Sequence, residues 1–241
     1  MPTLNISHDD PRHNNILAAL DKVDYERILP DLKLVEMPIG WTIAEAGDHV
    51  KFIHFPISGV ISLIYDLEDG STSEIAIVGS EGMVGISIYM GGESMPSSTE
   101  VQCPGKAYRL SRSVLKREFA LGGQLQKIAL LYTQALFAQI SQTAVCNQHH
   151  ELEQQFCRWL LMTLDRLRKD YVVITHLLLA KLLGVRRESI SVVAKKLQKD
   201  GIIAYSRGKI TVMNIIALKK RVCECYEVVN KEYSHLLSKN K

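Results

Sequence analysis

The stretch from Leu177 to Ile203 reads LLLAKLLGVRRESISVVAKKLQKDGII, two short amphipathic helices separated by a glycine turn. Leu178, Leu179, Leu182 and Leu183 give the first helix a broad apolar stripe, Gly184 ends it, and Ile190, Val193, Ala194 and Leu197 resume the i, i+3, i+4, i+7 spacing. Two helices so related make a helix-turn-helix. On the second, Glu188, Val192, Lys195 and Lys199 fall opposite the apolar stripe, flanked by Arg187, Ser189, Ser191 and Lys196. Such a face suits a helix entering a DNA major groove, where its first residues meet base edges and later cations meet phosphate. An ordinary solvated face would look similar, so the sequence that follows carries weight. After Asp200-Gly201 come Ile202-Ile203, the tip Tyr205-Ser206-Arg207-Gly208-Lys209 and the alternating Ile210-Thr211-Val212, which read as a β-hairpin with a basic tip. The whole is a winged helix-turn-helix. Its candidate DNA contacts are Thr175, Arg186, Arg187, Glu188, Ser189, Ser191, Val192, Lys195, Lys196, Ser206, Arg207 and Lys209.

Charge agrees once it is divided along the chain. The 241 residues have a formal net charge of +3, yet residues 1–150 hold 11 Lys+Arg against 17 Asp+Glu, and residues 151–241 hold 18 against 9. A cationic C-terminal part suits a polyanionic partner, double-stranded DNA, while the acidic remainder limits indiscriminate adhesion. A hydrophobic content of 46% is enough for two modest cores. No apolar run reaches the roughly 18 residues of a membrane span, so no membrane association is expected. The opening MPTLNISHDDPRHNN lacks the basic-then-apolar order of a signal peptide, and five cysteines without paired spacing suit a reducing compartment. A cytoplasmic location is the expectation.

Toward the N-terminus, Ile16, Leu17, Leu20, Val23 and Ile28 mark a short helical opening closed by Pro30. Residues 32–112 then change to short β-branched segments punctuated at Pro38-Ile39-Gly40, Ala46-Gly47-Asp48, Ser58-Gly59, Glu68-Asp69-Gly70 and Gly79-Ser80, with further strands near Glu100-Val101-Gln102 and Ala107-Tyr108-Arg109. This texture predicts a small antiparallel β-roll. After Gly122-Gly123 a helix of about six turns carries one apolar stripe through Leu125, Ala129, Tyr132, Leu136 and Ile140, and another through Ile128, Leu131, Ala135, Ala138 and Val145. One neighbour needs one stripe. Two stripes imply the β-roll on one side and the same helix of a second copy on the other, although a central helix buried within one monomer would show the same pattern. A homodimer would carry two recognition helices to half-sites about 34 Å apart on a roughly palindromic operator.

The fold class is therefore α+β: a β-roll domain with a short N-terminal helix over 1–122, a dimerisation helix over 123–146, a hinge at 147–150, and a winged helix-turn-helix domain over 151–241. Leu152, Phe156, Trp159, Leu160, Leu164 and Leu167 predict an amphipathic helix roofing that last domain. Leu218, Val222, Cys225, Val229 and Leu236 predict a C-terminal helix of about twenty residues whose partner stays open.

This order of parts resembles the Crp/Fnr family of bacterial transcription regulators. The resemblance is carried by Leu179-Ala180-Lys181-Leu182-Leu183-Gly184-Val185-Arg186-Arg187-Glu188-Ser189 in the reading head, and by Pro38-Ile39-Gly40, Ala46-Gly47-Asp48 and Ser58-Gly59 in the roll. It implies a dimeric regulator whose cyclic-nucleotide-binding-like roll senses a small effector and whose long helices relay the signal, with RNA polymerase a further partner open to such a protein. It also implies that Arg187 and Glu188 form the base-reading pair, Arg donating to guanine O6 and N7 and Glu accepting from cytosine N4. The family often has another Arg one turn on; here that position is Val192, which suits a thymine methyl rather than guanine and predicts an operator that departs at one position.

The sensor departs further. Where cyclic-nucleotide binders place a ribose carboxylate and a phosphate Arg, this chain has Ile86 and Pro96 or Ser97, and no Lys or Arg occurs from Phe52 through Gly105. A buried phosphate without a cation is strongly disfavoured, so no cyclic nucleotide is expected. By this alignment the candidate effector pocket holds Gly85, Ile86, Ser87, Ser97, Ser98, Thr99 and Tyr132, with Gly85, Gly91 and Gly92 either lending backbone N–H groups to a neutral or anionic molecule or simply serving turns. An iron-sulfur cluster is not expected, because Cys103, Cys146 and Cys157 are scattered, and Cys223 and Cys225, two apart on a predicted helix, face different ways. Haem stays open through His54, His149 and His150, against which a hinge or surface role stands for the adjacent pair. No cofactor or metal is assigned. A metalloenzyme would need about three converging ligands, and the roll offers only His49 and His54, so a non-enzymatic regulator is expected. A regulator with no effector at all is the other alternative.

Overall fold

The computed structural model describes residues 9–238, with side chains to residue 235; residues 1–8 of the opening segment and Leu236 of the predicted C-terminal stripe lie outside that description. Short helices α1 (Asn15–Ala18) and α2 (Lys22–Ile28) open it. The fully buried Asn14 fixes them to the roll: its Oδ1 accepts from the N–H groups of Ile16 and Leu17, while its Nδ2 donates to Pro56 O and Gly82 O at 2.9 and 2.8 Å. A side chain that caps a helix and bonds two distant carbonyls leaves no buried polar atom orphaned.

The roll consists of β1 (Lys33–Met37), β2 (Thr42–Ala44), β3 (Phe52–Pro56), β4 (Val60–Asp66), β5 (Thr72–Val78), the short α3 (Ser87–Met90), β6 (Ser98–Cys103) and β7 (Gly105–Ser111). Its strands pair antiparallel in two sheets, ordered β1-β7-β3 and β2-β6-β4-β5. The roll expected over 32–112 therefore has these two sheets as its layers. Ile53, Phe55, Ile61, Val101 and Leu110 are fully buried. In β4, four consecutive residues from Val60 to Leu63 are buried, as expected where both faces of a strand are covered.

Helix α4 (Arg112–Ala120), not foreseen from periodicity, leads into α5 (Gln124–His149), the long helix. Gln139 Nε2 of α5 donates to Ile77 O of β5 at 3.1 Å, so the helix runs along the β5 edge of the four-stranded sheet. At the predicted hinge, 147–150, α5 persists through His149, and two extended residues, His150 and Glu151, separate it from α6 (Leu152–Leu167), where Glu151 and Gln154 form a capping box. Helix α6 is almost wholly buried, so it is the core of the junction between roll and reading head.

Next come β8 (Tyr171–Val173), α7 (His176–Leu182), α8 (Arg187–Lys199), β9 (Ile203–Ser206), β10 (Lys209–Val212), α9 (Ile215–Arg221) and α10 (Cys225–Ser238). The winged helix-turn-helix is thus as expected, with β8 added as a third strand in the order β8-β10-β9. Both reading-head helices end in Schellman motifs. Val185 N–H bonds Ala180 O and Gly184 N–H bonds Lys181 O; Ile202 N–H bonds Leu197 O and Gly201 N–H bonds Gln198 O. Gly184 (φ +64°) and Gly201 (φ +69°) hold the left-handed position this closure requires. The single C-terminal helix expected from the three-to-four spacing is instead two, because Val222 is extended (φ −80°, ψ 150°) and ends α9. Helix α10 then returns along α5, and Tyr233 approaches Tyr132 at 6.3 Å between ring centres.

Candidate nucleic-acid interface and effector cavity

Helix α8 buries Ile190, Ala194 and Leu197 and turns its other side outward. Arg186, Arg187, Glu188, Lys195 and Lys199 are exposed, and Val192 is 68% exposed. Arg186 occupies the N-cap without a capping side-chain bond, so the first turn of α8 keeps unpaired N–H donors. Burial, with the Arg187 guanidinium adding, lowers the pKa of His176 and favours the neutral imidazole. That imidazole stacks on Tyr205 with ring centres 4.1 Å apart, and its Nδ1 lies 3.0 Å from Ser191 Oγ, fastening α7, α8 and β9 together.

The wing turn is a two-residue loop in which Ser206 pairs with Lys209. Arg207 (φ +50°) and Gly208 (φ +75°) both have positive φ, the pattern of a type I′ hairpin turn. An Arg in the left-handed region costs on the order of 1 kcal/mol, which marks this tip as a place where charge is kept at the expense of local stability. Lys209 lies over the Tyr171 ring, its Nζ 3.8 Å from the centroid.

The predicted contact set therefore divides. Arg186, Arg187, Glu188, Val192 and Lys195 share the outer face of α8, with Ser206, Arg207 and Lys209 exposed on the adjacent wing and Ser189 half-buried. Three others have intramolecular partners. Thr175 Oγ1 caps α7 by accepting from Leu178 N–H at 3.1 Å, Ser191 bonds His176, and Lys196 pairs with Glu153 of α6 at 2.6 Å. Glu153 also holds Arg221 at 2.6 Å, and Arg221 reaches Asp200 at 2.9 Å. Burial raises the Glu153 pKa, but these two cations outweigh it and leave the carboxyl below its ordinary range. Sequence spacing cannot reveal this network, since its members lie on α6, α8 and α9.

On the sensor side, a cavity of about 220 Å³ opens between the roll and α5. Its apolar lining includes Ile43, Leu63, Met83, Ile86, Met95 and Leu136, and its charged lining is Glu45, Asp48 and Lys51, with His49 and His54. Burial, with Arg109 adding, pushes the His54 pKa down to about 4, so that imidazole is neutral near pH 7. His49 is exposed and faces Glu93 at 3.4 Å. Gly85, Ile86 and Thr99 of the predicted pocket line the cavity, whereas Ser87, Ser97, Ser98 and Tyr132 do not. Tyr132 instead packs its fully buried ring on Gly82, where an added Cβ would come within 2.4 Å of it. Gly91 caps α3 in the left-handed region (φ +91°) and, like Gly92, lies outside the lining, so these two serve turns.

One expectation is corrected outright. The cysteines are not all scattered: Cys146, Cys223 and Cys225 come together with His150, their ligand-capable atoms within 4.8 Å of one another. Cys223 lies in the loop before α10 rather than on a continuous helix, and this lets it turn to the same side as Cys225. The three imidazoles considered for haem do not converge: His54 is in the roll, His149 is exposed and His150 sits in the thiol cluster.

A roll with an internal cavity, a long helix and a winged helix-turn-helix with an outward cationic face define a transcription-regulator class. Residues 34–120 match the model of the cyclic nucleotide-binding domain, and residues 154–221 match that of the Crp-like helix-turn-helix domain. No curated protein matches the chain. Among solved structures, a putative transcriptional regulator of the Crp/Fnr family from Eubacterium rectale superposes with a TM-score of 0.69 at 16% identity, over 87% of this chain and 98% of that one. FixK2 from Bradyrhizobium japonicum gives 0.67 at 15%, over 80% and 98%. TTHB099, a CRP-family transcriptional regulator from Thermus thermophilus, gives 0.64 at 20%, over 78% and 95%. At these identities the likeness concerns the fold, over 78 to 87% of this chain. The chain belongs to the Crp/Fnr family of transcription regulators. Among the described residues, no helix is long and apolar enough to cross a membrane.

Proposed function

We propose that the protein is a homodimeric, sequence-specific DNA-binding regulator that reads a roughly palindromic operator through α8. The observation that carries this reading is the exposed first half of α8, where Arg187, Glu188, Val192 and Lys195 share one uncovered face beside the cationic wing tip. Arg187 and Glu188 read a G·C-containing step, Val192 packs on a thymine methyl, and Lys195, Arg207 and Lys209 hold phosphate. Unpaired N–H groups at the helix start supply further phosphate donors.

Dimerisation is supported by α5. Residues 128–148 contain no Asp, Glu, Lys or Arg, and Leu130 (53%), Phe137 (70%) and Val145 (47%) remain exposed along one side. Val145 alone is common to this side and to the stripe through Ile128, Leu131, Ala135, Ala138 and Val145, of which Ile128 and Ala135 are buried within the monomer. Leu130 and Phe137 are one heptad apart, the spacing at which a second copy of the helix would meet them.

The cavity supports an effector other than a cyclic nucleotide. Among the described residues that line it, Lys51, which is exposed, is the only Lys or Arg, and His54 is neutral near pH 7, while Glu45 and Asp48 would repel a phosphate. Selection of bound duplexes from random DNA, followed by footprinting, tests the central reading; absence of any protected duplex would overturn it. Calorimetry with cAMP and cGMP tests the sensor, with micromolar binding as the contrary result. A protein whose DNA affinity no small molecule alters would be an effector-independent regulator.

A further inference from the structure

Three thiols and an imidazole from distant parts of the chain meet at the point where α5 ends. Cys146 lies on the last turn of α5, and His150, four residues on, donates its backbone N–H to Cys146 O at 3.0 Å. Cys223 lies in the loop after α9, and Cys225 is the first residue of α10. The three cysteines are 0, 3 and 0% exposed, and the His150 side chain is 16% exposed. Cys146 Sγ and Cys223 Sγ are 3.6 Å apart, and Cys225 Sγ is 3.4 Å from His150 Nδ1. In a tetrahedron with zinc–sulfur bonds of about 2.3 Å and zinc–nitrogen bonds of about 2.05 Å, the sulfur–sulfur edge is about 3.8 Å and the sulfur–nitrogen edge about 3.5 Å. These two separations match their edges to within a few tenths of an ångström, and every pair of ligand atoms in the set lies within 4.8 Å.

The surroundings are those of a ligand set. His150 Nε2, the nitrogen turned away from the thiols, faces Glu224 Oε2 at 3.4 Å. A carboxylate on the second imidazole nitrogen holds the ring's orientation and fixes which nitrogen is free to ligate. Gln142 Nε2 donates to Cys225 Sγ at 3.1 Å, an interaction that favours thiolate. Gln155 Nε2 donates to His150 O at 2.8 Å and so steadies the break between α5 and α6.

We propose that Cys146, Cys223, Cys225 and His150 Nδ1 form a site for a single tetrahedral divalent ion of the zinc class. Three sulfurs and one imidazole select a borderline-soft metal over calcium or magnesium, which take oxygen ligands. An iron-sulfur cluster distributes its cysteines over two or more irons and so spreads the thiolates wider than this compact set. Four protein ligands close the coordination sphere, so the ion is structural rather than catalytic. It staples the start of α10 to the end of α5, at the junction where the chain passes from the sensor half to the reading half, and it immobilises the residue at the break, His150.

The test uses the full chain, purified under reducing conditions and freed of metal with a chelator. Titration with cobalt(II), then displacement by zinc, should give about one ion per chain, with the thiolate-to-cobalt charge-transfer and intense visible bands of a tetrahedral sulfur site. Cys146→Ser and Cys225→Ser should each lower cobalt affinity at least about 100-fold, whereas Cys103→Ser, in the roll, should keep full stoichiometry. His150→Cys preserves four ligands; it should retain the ion with a stronger charge-transfer band, which keeps the test valid if a serine variant fails to fold. Zinc should also slow proteolysis between residues 147 and 152 in the unmodified chain and not in Cys225→Ser. No cobalt spectrum at micromolar metal, equal stoichiometry in Cys225→Ser, or iron and sulfide in equal amounts in the purified protein would overturn the single-ion assignment.

Discussion

Replacing Phe137 tests the dimer at its most exposed point. The ring belongs to a helix packed on the roll and α10, yet 70% of it is accessible, and a phenylalanine side chain offers about 200 Å² to a partner. About 140 Å² per copy is therefore available, worth about 3.5 kcal/mol per ring at about 25 cal/mol per Å², or about 7 kcal/mol for two copies as an upper figure. Ordering costs and incomplete closure reduce what association recovers, so an observable loss near 3 kcal/mol is the working figure, roughly 100-fold in the dimer dissociation constant. Phe137→Glu should show at least this, because it also sets two carboxylates against each other across the two-fold axis. Sedimentation equilibrium of both proteins over about 0.1 to 100 micromolar gives the constants directly. The far-ultraviolet circular dichroism should be unchanged, since Phe137 takes no part in the monomer's core. Equal dissociation constants for the two proteins would refute the assignment of this face to a second copy.

Arg187→Ala should cost roughly 1 to 3 kcal/mol on the selected operator and relax preference at one base pair, while Lys195→Ala should weaken every duplex alike and lower the salt dependence by about one ion. Fluorescence anisotropy on specific and random duplexes separates the two; equal losses on both for Arg187→Ala would remove its base-reading role. Val192→Arg should return a selected motif with guanine where the wild type accepts thymine, and an unchanged motif would show that position 192 reads no base. Glu74, buried beneath α6, has its pKa pushed up to about 7 by burial, with Ser62 and Arg158 opposing the rise. A folded pKa above the unfolded value near 4.5 means the native state binds the extra proton, so this group's contribution to stability is full below about pH 4.5 and is lost as pH rises toward about 7. Glu74→Gln should therefore flatten the fall of Tm between about pH 4.5 and pH 7, the window set by those two values, whereas parallel Tm profiles would show that the Glu74 carboxyl is not shifted by folding.

Reading-head residues were legible because their signals are local. A glycine ending an apolar stripe, a second stripe beginning at Ile190 and a positive-φ hairpin tip are all written within about thirty residues, and the backbone must meet those demands wherever the domain sits. The outward direction of Arg187, Glu188 and Val192 follows from the same periodicity. The sequence could not say that Lys196 is held by Glu153, because that pair joins two helices whose packing depends on β8 and α9 as well. Tyr132 illustrates the limit of a stripe: periodicity correctly placed it on a buried face, but whether that face lines a cavity or abuts Gly82 is a matter of which strand lies opposite.

The sequence by itself determined the kinds of part and their order: a β-roll, a long helix and a winged helix-turn-helix, together with the charge that divides sensor from reader. These follow from period, turn chemistry and composition, each a property of neighbouring residues. Only the tertiary structure decided what the long helix touches, which of its stripes stays uncovered, and that Cys146 and Cys223, 77 residues apart, lie 3.6 Å from each other. Such meetings depend on how α10 folds back along α5. The extended Val222 permits that return, and the apolar face of α10 drives it by leaving water, a force that has no direction along the chain and so leaves no spacing to read.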